Sequence, residues 1–292
     1  MSAVVTLLSN SNALYVSLAA LLGLLVGSFL NVVIFRLPVI LDRKWHRDCL
    51  EMLGQAAAEK LPEHFSLVFP GSRCPHCSHA IRAWQNIPVL SFLLLRGACA
   101  ACGKPISWRY PAIELLTGIL TVAVAWHYGF TPVALGAMLF TWTLIALSFI
   151  DADHQILPDN ITLPFLWLGL CLNLFGTFSD LPSAVIGAVS GYVALWSVYH
   201  VFRLLTKKEG MGYGDFKLLG ALGAWLGWQQ LPLVILLSSF VGAVVGLVFI
   251  LAFGRDRRLP IPFGPFLCIA GWIAMMWGDS LTRAYLQFAR LV

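Results

Sequence analysis

Residues 14–35 read LYVSLAALLGLLVGSFLNVVIF, a run of 22 residues without a charged side chain. About 20 mostly apolar residues in a helix are enough to cross the hydrocarbon core of a bilayer. A secretory signal peptide would have basic residues before such a run and a small-residue cleavage site after it, and this stretch has neither. We therefore expect residues 1–36 to form a first transmembrane helix that is not removed.

The composition extends this expectation to the whole chain. Hydrophobic residues make up 59% of the 292 positions and charged residues only 11%, whereas soluble domains carry about 25% charged residues. After Pro111, apolar runs alternate with short turns. Eight spans are predicted, at about 14–35, 112–129, 132–150, 160–176, 182–204, 216–228, 231–253 and 263–280. The expected fold is an all-α polytopic membrane protein, in which the short run 216–228 is only partly inserted or thins the bilayer locally.

Basic residues predict how the chain is oriented, because Lys and Arg concentrate in cytoplasmic loops. If the N-terminus lies outside, alternation places residues 36–111, 151–159, 203–217 and 255–262 in the cytoplasm. These segments hold 17 of the 19 Lys and Arg residues. We therefore expect both termini on the outer side of the membrane.

The polar segment 37–111 is predicted to be a small cytoplasmic domain between the first and second spans, and it contains two CxxC pairs. Cys74 and Cys77 are separated from Cys99 and Cys102 by 21 residues. Two such turns can complete a tetrahedral thiolate site that is closed to water, which indicates structural zinc. Two disulfides are the alternative, and the reducing cytoplasm disfavours them.

Other residues near or outside this pattern received less specific interpretations. His76 and His79 are close enough in sequence to replace a cysteine ligand. The three cysteines without partner spacing are interpreted as small buried apolar residues. They are Cys49, Cys171 and Cys268.

Two aspartates stand out among the acidic residues because both fall at the predicted cytoplasmic ends of spans. Asp151 ends an apolar run, and Asp215 follows the glycine-spaced segment Gly210 to Gly214 and begins the next run. Two carboxylates at one depth can share a proton and support aspartic proteolysis. Helix dipoles predict that Asp215, at a helix start, ionises before Asp151, at a helix end. Asp159 follows Pro158 and is interpreted as a helix N-cap.

An ordered set of motifs resembles the type IV prepilin leader peptidases, which are membrane aspartic peptidases of the GxGD type. The set consists of Gly27-Ser28-Phe29-Leu30-Asn31, the two CxxC pairs, Tyr110-Pro111 with Glu114, Asp151 through Leu157-Pro158-Asp159, Gly210 to Lys217, and Pro262-Phe263-Gly264-Pro265. The resemblance covers nearly the whole chain. The 63 residues between Asp151 and Asp215 fit the same order.

The resemblance implies a bifunctional enzyme of the bacterial inner membrane. It would cleave leader peptides from prepilins and pseudopilins at the cytoplasmic face, and methylate the new N-terminal residue with S-adenosylmethionine. Its implied catalytic pair is Asp151 and Asp215, supported by a loop with Gly210, Gly212 and Gly214. The implied zinc ligands are Cys74, Cys77, Cys99 and Cys102.

The resemblance also implies a division of the chain and a set of partners. Residues 1–36 would form the first span, 37–111 the zinc-binding domain, and 112–292 a seven-helix peptidase domain. Membrane lipid is an expected partner and nucleic acid is not, and both termini would be periplasmic.

The methyl-donor site is not assigned by sequence, since no glycine-rich Rossmann fingerprint follows a strand-like segment. Glu114 is a candidate carboxylate near the cofactor or substrate amine, and a helix N-terminus charge is its alternative role. Two functions from other classes compete with the peptidase reading. An ion-coupled transporter would use carboxylates near the bilayer midplane in paired repeats, and a non-enzymatic scaffold would use the zinc domain for docking.

Overall fold

The computed structural model describes residues 11–54, 65–208, 210–253 and 261–289. Within these ranges almost all regular structure is helical, apart from two isolated β-bridges. Two single-turn 3₁₀ helices lie at Ala83–Asn86 and Trp228–Gln230. The α-helices are α1 (Asn12–Met52), α2 (Leu90–Leu94), α3 (Arg109–Tyr128), α4 (Pro132–His154), α5 (Asp159–Asn173), α6 (Leu181–Thr206), α7 (Tyr213–Leu226), α8 (Leu231–Phe253) and α9 (Gly264–Phe288).

Each of the eight predicted apolar segments corresponds to one long helix. In the described part of the chain, five helices are long and apolar enough to cross a bilayer: α1, α3, α4, α6 and the segment Trp228–Phe249. Helices α5 and α7 fall short of spanning length, with 15 and 14 residues, and α9 is also outside this set. The prediction of a largely helical chain with several apolar spans is confirmed, and the count of eight stays a prediction.

The chain forms two compact units, Met1–Phe130 and Thr131–Val292. In the first unit α1 lies close along α3. A Cβ on Gly23 would lie 2.7 Å from Thr121 Oγ1, and one on Gly27 would lie 2.8 Å from the Cα of Glu114. Asn31 adds a hydrogen bond from Nδ2 to the carbonyl of Tyr110, at 3.1 Å. The glycines thus allow a backbone approach that larger residues would block.

Helix α1 is longer than its predicted apolar run. It continues beyond Phe35 to Met52, passing through Pro38, which lacks the N–H needed for the usual helical bond. The helix therefore crosses the predicted boundary between residues 36 and 37, and the predicted division into three domains stays a prediction.

Helix α7 is the buried centre of the second unit. From Asp215 to Leu226 every residue except Lys217 is buried. Its backbone lies against α6, where a Cβ on Gly187 would lie only 2.4 Å from the carbonyl oxygen of Gly223. On the α5 side, Trp225 stacks on Phe165 with ring centroids 5.0 Å apart. Packing on several sides fixes the helix that carries Asp215.

Candidate active site and candidate metal site

Asp151 and Asp215 meet within the second unit although they lie far apart in sequence. Asp151 is in the last turn of α4, and Asp215 is in the first turn of α7. Their exposed fractions are only 6% and 7%. The charge on Asp151 acts on Asp215, and the buried thiol of Cys268 in α9 lies within electrostatic reach of both carboxylates. Two acidic groups in one buried place are therefore brought together from separate helices.

A third element, the N-terminus of α9, contacts this pair. The backbone N–H of Gly264 donates a hydrogen bond to Asp151 Oδ2 at 3.0 Å. A Cβ on Gly264 would lie 2.6 Å from the same oxygen. Sequence reasoning noted Gly264 only as part of a motif. Pro265 at the second helical position was the available signal, because proline favours the first turn of a helix.

The two carboxylates differ in their hydrogen bonding. Asp215 Oδ1 is buried and has no hydrogen-bond partner among the described residues. The backbone of Gly212 faces the Asp215 side chain and favours its charged form. Asp151 instead has the short bond from Gly264.

The glycine-spaced loop needs space at two of its three glycines. A Cβ on Gly214 would lie 2.8 Å from Cβ of Leu157, and one on Gly210 would lie 2.9 Å from the ring of Phe202. Around Gly212 the nearest atom would be 3.9 Å away. None of the three has a positive φ. Close packing, and not an unusual backbone conformation, is what the structure requires at Gly210 and Gly214.

Asp159 forms an ion pair next to the candidate site. Its two carboxylate oxygens accept hydrogen bonds from Lys217 Nζ at 2.6 and 2.8 Å. The N-cap of α5 is Pro158, with no side-chain cap bond, so the interpretation of Asp159 as an N-cap was wrong. The ion pair connects the start of α5 to α7, two residues beyond Asp215.

In the first unit, the two cysteine pairs occupy equivalent turns. Isolated β-bridges close them, between Arg73 and Ala80 in one and between Ala98 and Pro105 in the other. The residue after the second cysteine has positive φ in both turns, +57° at Ser78 and +69° at Gly103. The sulfur atoms of Cys74, Cys77, Cys99 and Cys102 all lie within 4.8 Å of one another. This cluster can hold a metal ion.

Backbone amides favour the thiolate form in this cluster. The amides of Cys77 and His76 lower the pKa of the Cys74 thiol to about 6, and those of Cys102 and Ala101 lower the pKa of Cys99. Thiolate is the form that ligates metals. Among the described residues the cluster consists of cysteines only and includes neither predicted histidine alternative.

The prediction for the other three cysteines was right for one of them. Cys268 is buried, whereas Cys49 and Cys171 are exposed.

Glu114 lies in α3 and is buried, with an exposed fraction of 8%. Its Oε2 accepts a hydrogen bond from the backbone N–H of Val89 at 2.8 Å. Val89 has φ +60°, which is unfavourable for a β-branched residue. Glu114 therefore holds the strained turn that leads into α2.

Comparisons with known proteins agree with this arrangement. A model described as the bacterial peptidase A24 N-terminal domain matches residues 21–128, and one described as the type IV leader peptidase family matches residues 138–247. A relative from Stutzerimonas stutzeri, named prepilin leader peptidase/N-methyltransferase, is 58% identical over 98% of this chain and 99% of its own length. The chain belongs to the type IV leader peptidase family.

Two further relatives carry the same name. The protein from Pseudomonas aeruginosa is 56% identical over 94% of each chain. That from Dichelobacter nodosus is 50% identical over 92% of this chain and 93% of its own. No solved structure matches. The resemblance of this chain to the leader peptidase family, inferred from its motifs, is confirmed.

Proposed function

We propose that this protein cleaves the leader peptide of prepilins and pseudopilins, and then methylates the new N-terminal residue. The convergence of Asp151 and Asp215 on one buried place carries the peptidase half of the proposal. The names of relatives at 50 to 58% identity support both activities. A bifunctional enzyme was also the prediction from sequence, and the family membership agrees with it.

The two aspartates are the proposed catalytic pair. Two carboxylates this close cannot both ionise without a large electrostatic cost, so they hold one proton between them near neutral pH. One carboxylate can then accept a proton from the attacking water while the other donates a proton to the scissile carbonyl. The loop with Gly210, Gly212 and Gly214 is proposed to support Asp215 and to admit an extended substrate.

The proposed location is the bacterial inner membrane, with eight spans and the active site at the cytoplasmic face. The distribution of basic residues supports this orientation, with both termini periplasmic. A prepilin suits such a site, because its apolar N-terminal helix lies in the bilayer while its basic leader stays in the cytoplasm. Membrane lipid is thus part of the working environment of the enzyme.

Structural zinc is the proposed occupant of the cysteine cluster, in a cytoplasmic domain between the first and second spans. A tetrahedral site with zinc–sulfur bonds of about 2.3 Å has sulfur–sulfur edges of roughly 3.8 Å. The Sγ atoms of Cys74 and Cys102 are 3.9 Å apart. Four thiolates close the site to water, so the ion would hold the two turns together and take no part in proteolysis.

S-adenosylmethionine is the proposed methyl donor, and it would supply an electrophilic methyl group to the new amine. Glu114 is the proposed carboxylate of this half-reaction. Its burial and its bond to Val89 fix its position in α3. Glu114→Gln keeps the acceptor oxygen but removes the charge. We expect it to reduce methylation while cleavage continues, and an equal loss of both would contradict a specific role.

The whole proposal can be tested by mass spectrometry of a purified prepilin incubated with the protein and S-adenosylmethionine. We expect leader loss and one added methyl group, with cleavage abolished in Asp151→Ala and Asp215→Ala. Leader loss without methylation would restrict the function to proteolysis. An unprocessed substrate with folded wild-type protein would favour the transporter or scaffold alternatives.

A further inference from the structure

Helix α9 supplies an interaction that separates the roles of the two aspartates. Its first residue, Gly264, is buried, and its N–H points at Asp151 Oδ2 over 3.0 Å. The first N–H groups of a helix have no intrahelical acceptor and carry the positive end of the helix dipole. Asp151 thus satisfies an orphan donor, and the donor in turn stabilises a negative charge on Asp151.

No equivalent donor reaches Oδ1 of Asp215. That oxygen is buried and has no hydrogen-bond partner among the described residues. An ionised oxygen without a donor is far more costly to bury than a neutral one. The pair therefore has its lowest free energy when Asp151 is ionised and Asp215 is protonated.

From this asymmetry we propose that Gly264 is a positioning residue that keeps Asp151 as the ionised general base and leaves Asp215 as the proton donor. The inference rests on the proposed peptidase function. It reverses the order expected from sequence, because that expectation counted only the dipoles of the two helices that carry the carboxylates.

The proposed roles give a balanced hydrolysis. Asp151 accepts a proton from water as the water oxygen bonds to the scissile carbonyl carbon, and Asp215 donates its proton to the carbonyl oxygen. The resulting neutral diol then loses its amine. Asp151 returns its proton to the leaving nitrogen as the C–N bond breaks, and one hydroxyl of the diol returns a proton to Asp215. Both side chains regain their starting states.

Few other titratable groups bear on this pair in the described residues. Cys268, in the second turn of α9, is buried within reach of both carboxylates. Lys217, two residues after Asp215, is paired with Asp159. The loop charges Arg255, Asp256, Arg257 and Arg258 lie outside the described residues.

The residue at position 264 must also be small. A Cβ there would lie 2.6 Å from Asp151 Oδ2, so Gly264→Ala must displace the carboxylate from its donor. Gly271→Ala is a matched control in the same helix, because its Cβ would also lie 2.6 Å from its nearest atom, a methyl carbon of Leu222. The control thus introduces an equally close contact without involving a carboxylate.

The test measures the rate of prepilin cleavage against pH for the full-length protein in detergent. We expect Gly264→Ala to lower the maximal rate at least tenfold and to move the acid limb to higher pH by about one unit, since each donor to a carboxylate shifts its titration by roughly that much. Gly271→Ala should leave the acid limb in place. A lower rate with an unmoved limb in Gly264→Ala would overturn the proposal. Failure of the wild type to cleave would instead refute the peptidase function.

A second measurement covers the case in which Gly264→Ala does not fold. Asp215→Asn keeps an N–H that can donate to the substrate carbonyl, whereas Asp151→Asn removes the base. We expect residual cleavage by Asp215→Asn to exceed that by Asp151→Asn at least tenfold. Equal residual rates, or the reverse order, would also overturn the proposal.

Discussion

Asn173 offers a sharp test of how the helix that carries Asp215 is held. Its side chain is almost fully buried, with 1% exposed, and it makes four hydrogen bonds. Nδ2 donates to the carbonyls of Ala224 at 2.9 Å and Trp225 at 2.8 Å, and Oδ1 accepts from the amides of Phe178 and Ser179 at 3.0 and 3.1 Å. Carbonyls in the last turn of a helix lack intrahelical donors. Asn173 thus provides the missing donors at the end of α7.

The expected loss in Asn173→Ala follows from these bonds. The two bonds to α7 carbonyls are buried and contribute about 1 to 1.5 kcal/mol each, and the two part-buried bonds contribute about 0.5 kcal/mol each. The sum is about 3 to 4 kcal/mol of unfolding free energy. In a chain of this length that corresponds to a decrease in Tm of roughly 6 to 12 °C.

Thermal unfolding of the purified protein in detergent is the appropriate assay. Thr177→Val is the control in the same turn, because Thr177 makes one part-buried bond, to the carbonyl of Leu172 at 2.7 Å, and should cost about 1 kcal/mol. If Asn173→Ala were no less stable than Thr177→Val, the four bonds could not be holding the end of α7. Cleavage by the folded fraction at low temperature should persist, because Asp215 is at the opposite end of the helix.

Three further outcomes follow from the contacts around the site. Lys217→Asp should lower the cleavage rate, and the charge swap with Asp159→Lys should restore part of it. Unfolding free energy should change by less than about 1 kcal/mol, since this pair is partly exposed; no recovery in the swap would exclude a positioning role. Gly214→Val should reduce cleavage more than protein level on immunoblots, because its Cβ meets Leu157 at 2.8 Å; equal losses would indicate a purely structural glycine. Removing metal with a strong chelator should expose the cysteine turns to limited proteolysis, and an unchanged digestion pattern would contradict a structural ion.

Much of the helical pattern followed from local sequence. Apolar runs bounded by Gly, Pro and Asp indicated eight segments, and each contains a long helix. The extension of α1 to Met52 was not predicted, because the expectation ended the helix where apolar residues ended. A helix needs only backbone hydrogen bonds and no breaker, and polar residues after Arg36 meet that condition despite Pro38.

The candidate site was only partly visible in the sequence. Spacing identified the two CxxC turns, because a turn places both sulfurs on the same side. Asp151 and Asp215 were identified by their positions at the ends of apolar runs and by the motif resemblance. The ion pair of Asp159 with Lys217 was missed, since 57 residues separate the two and nothing local specifies their contact.

The sequence by itself determined the chemical groups, the helices that carry them and the family to which the chain belongs. Only the tertiary structure decided which neighbours each group meets. Gly264 lies 112 residues beyond Asp151, with no periodic pattern to connect them, yet its amide donates to that carboxylate. Hydrogen-bond donors and burial act over a few ångströms in space. The difference between Asp151 and Asp215 therefore arises from packing, not from either local sequence.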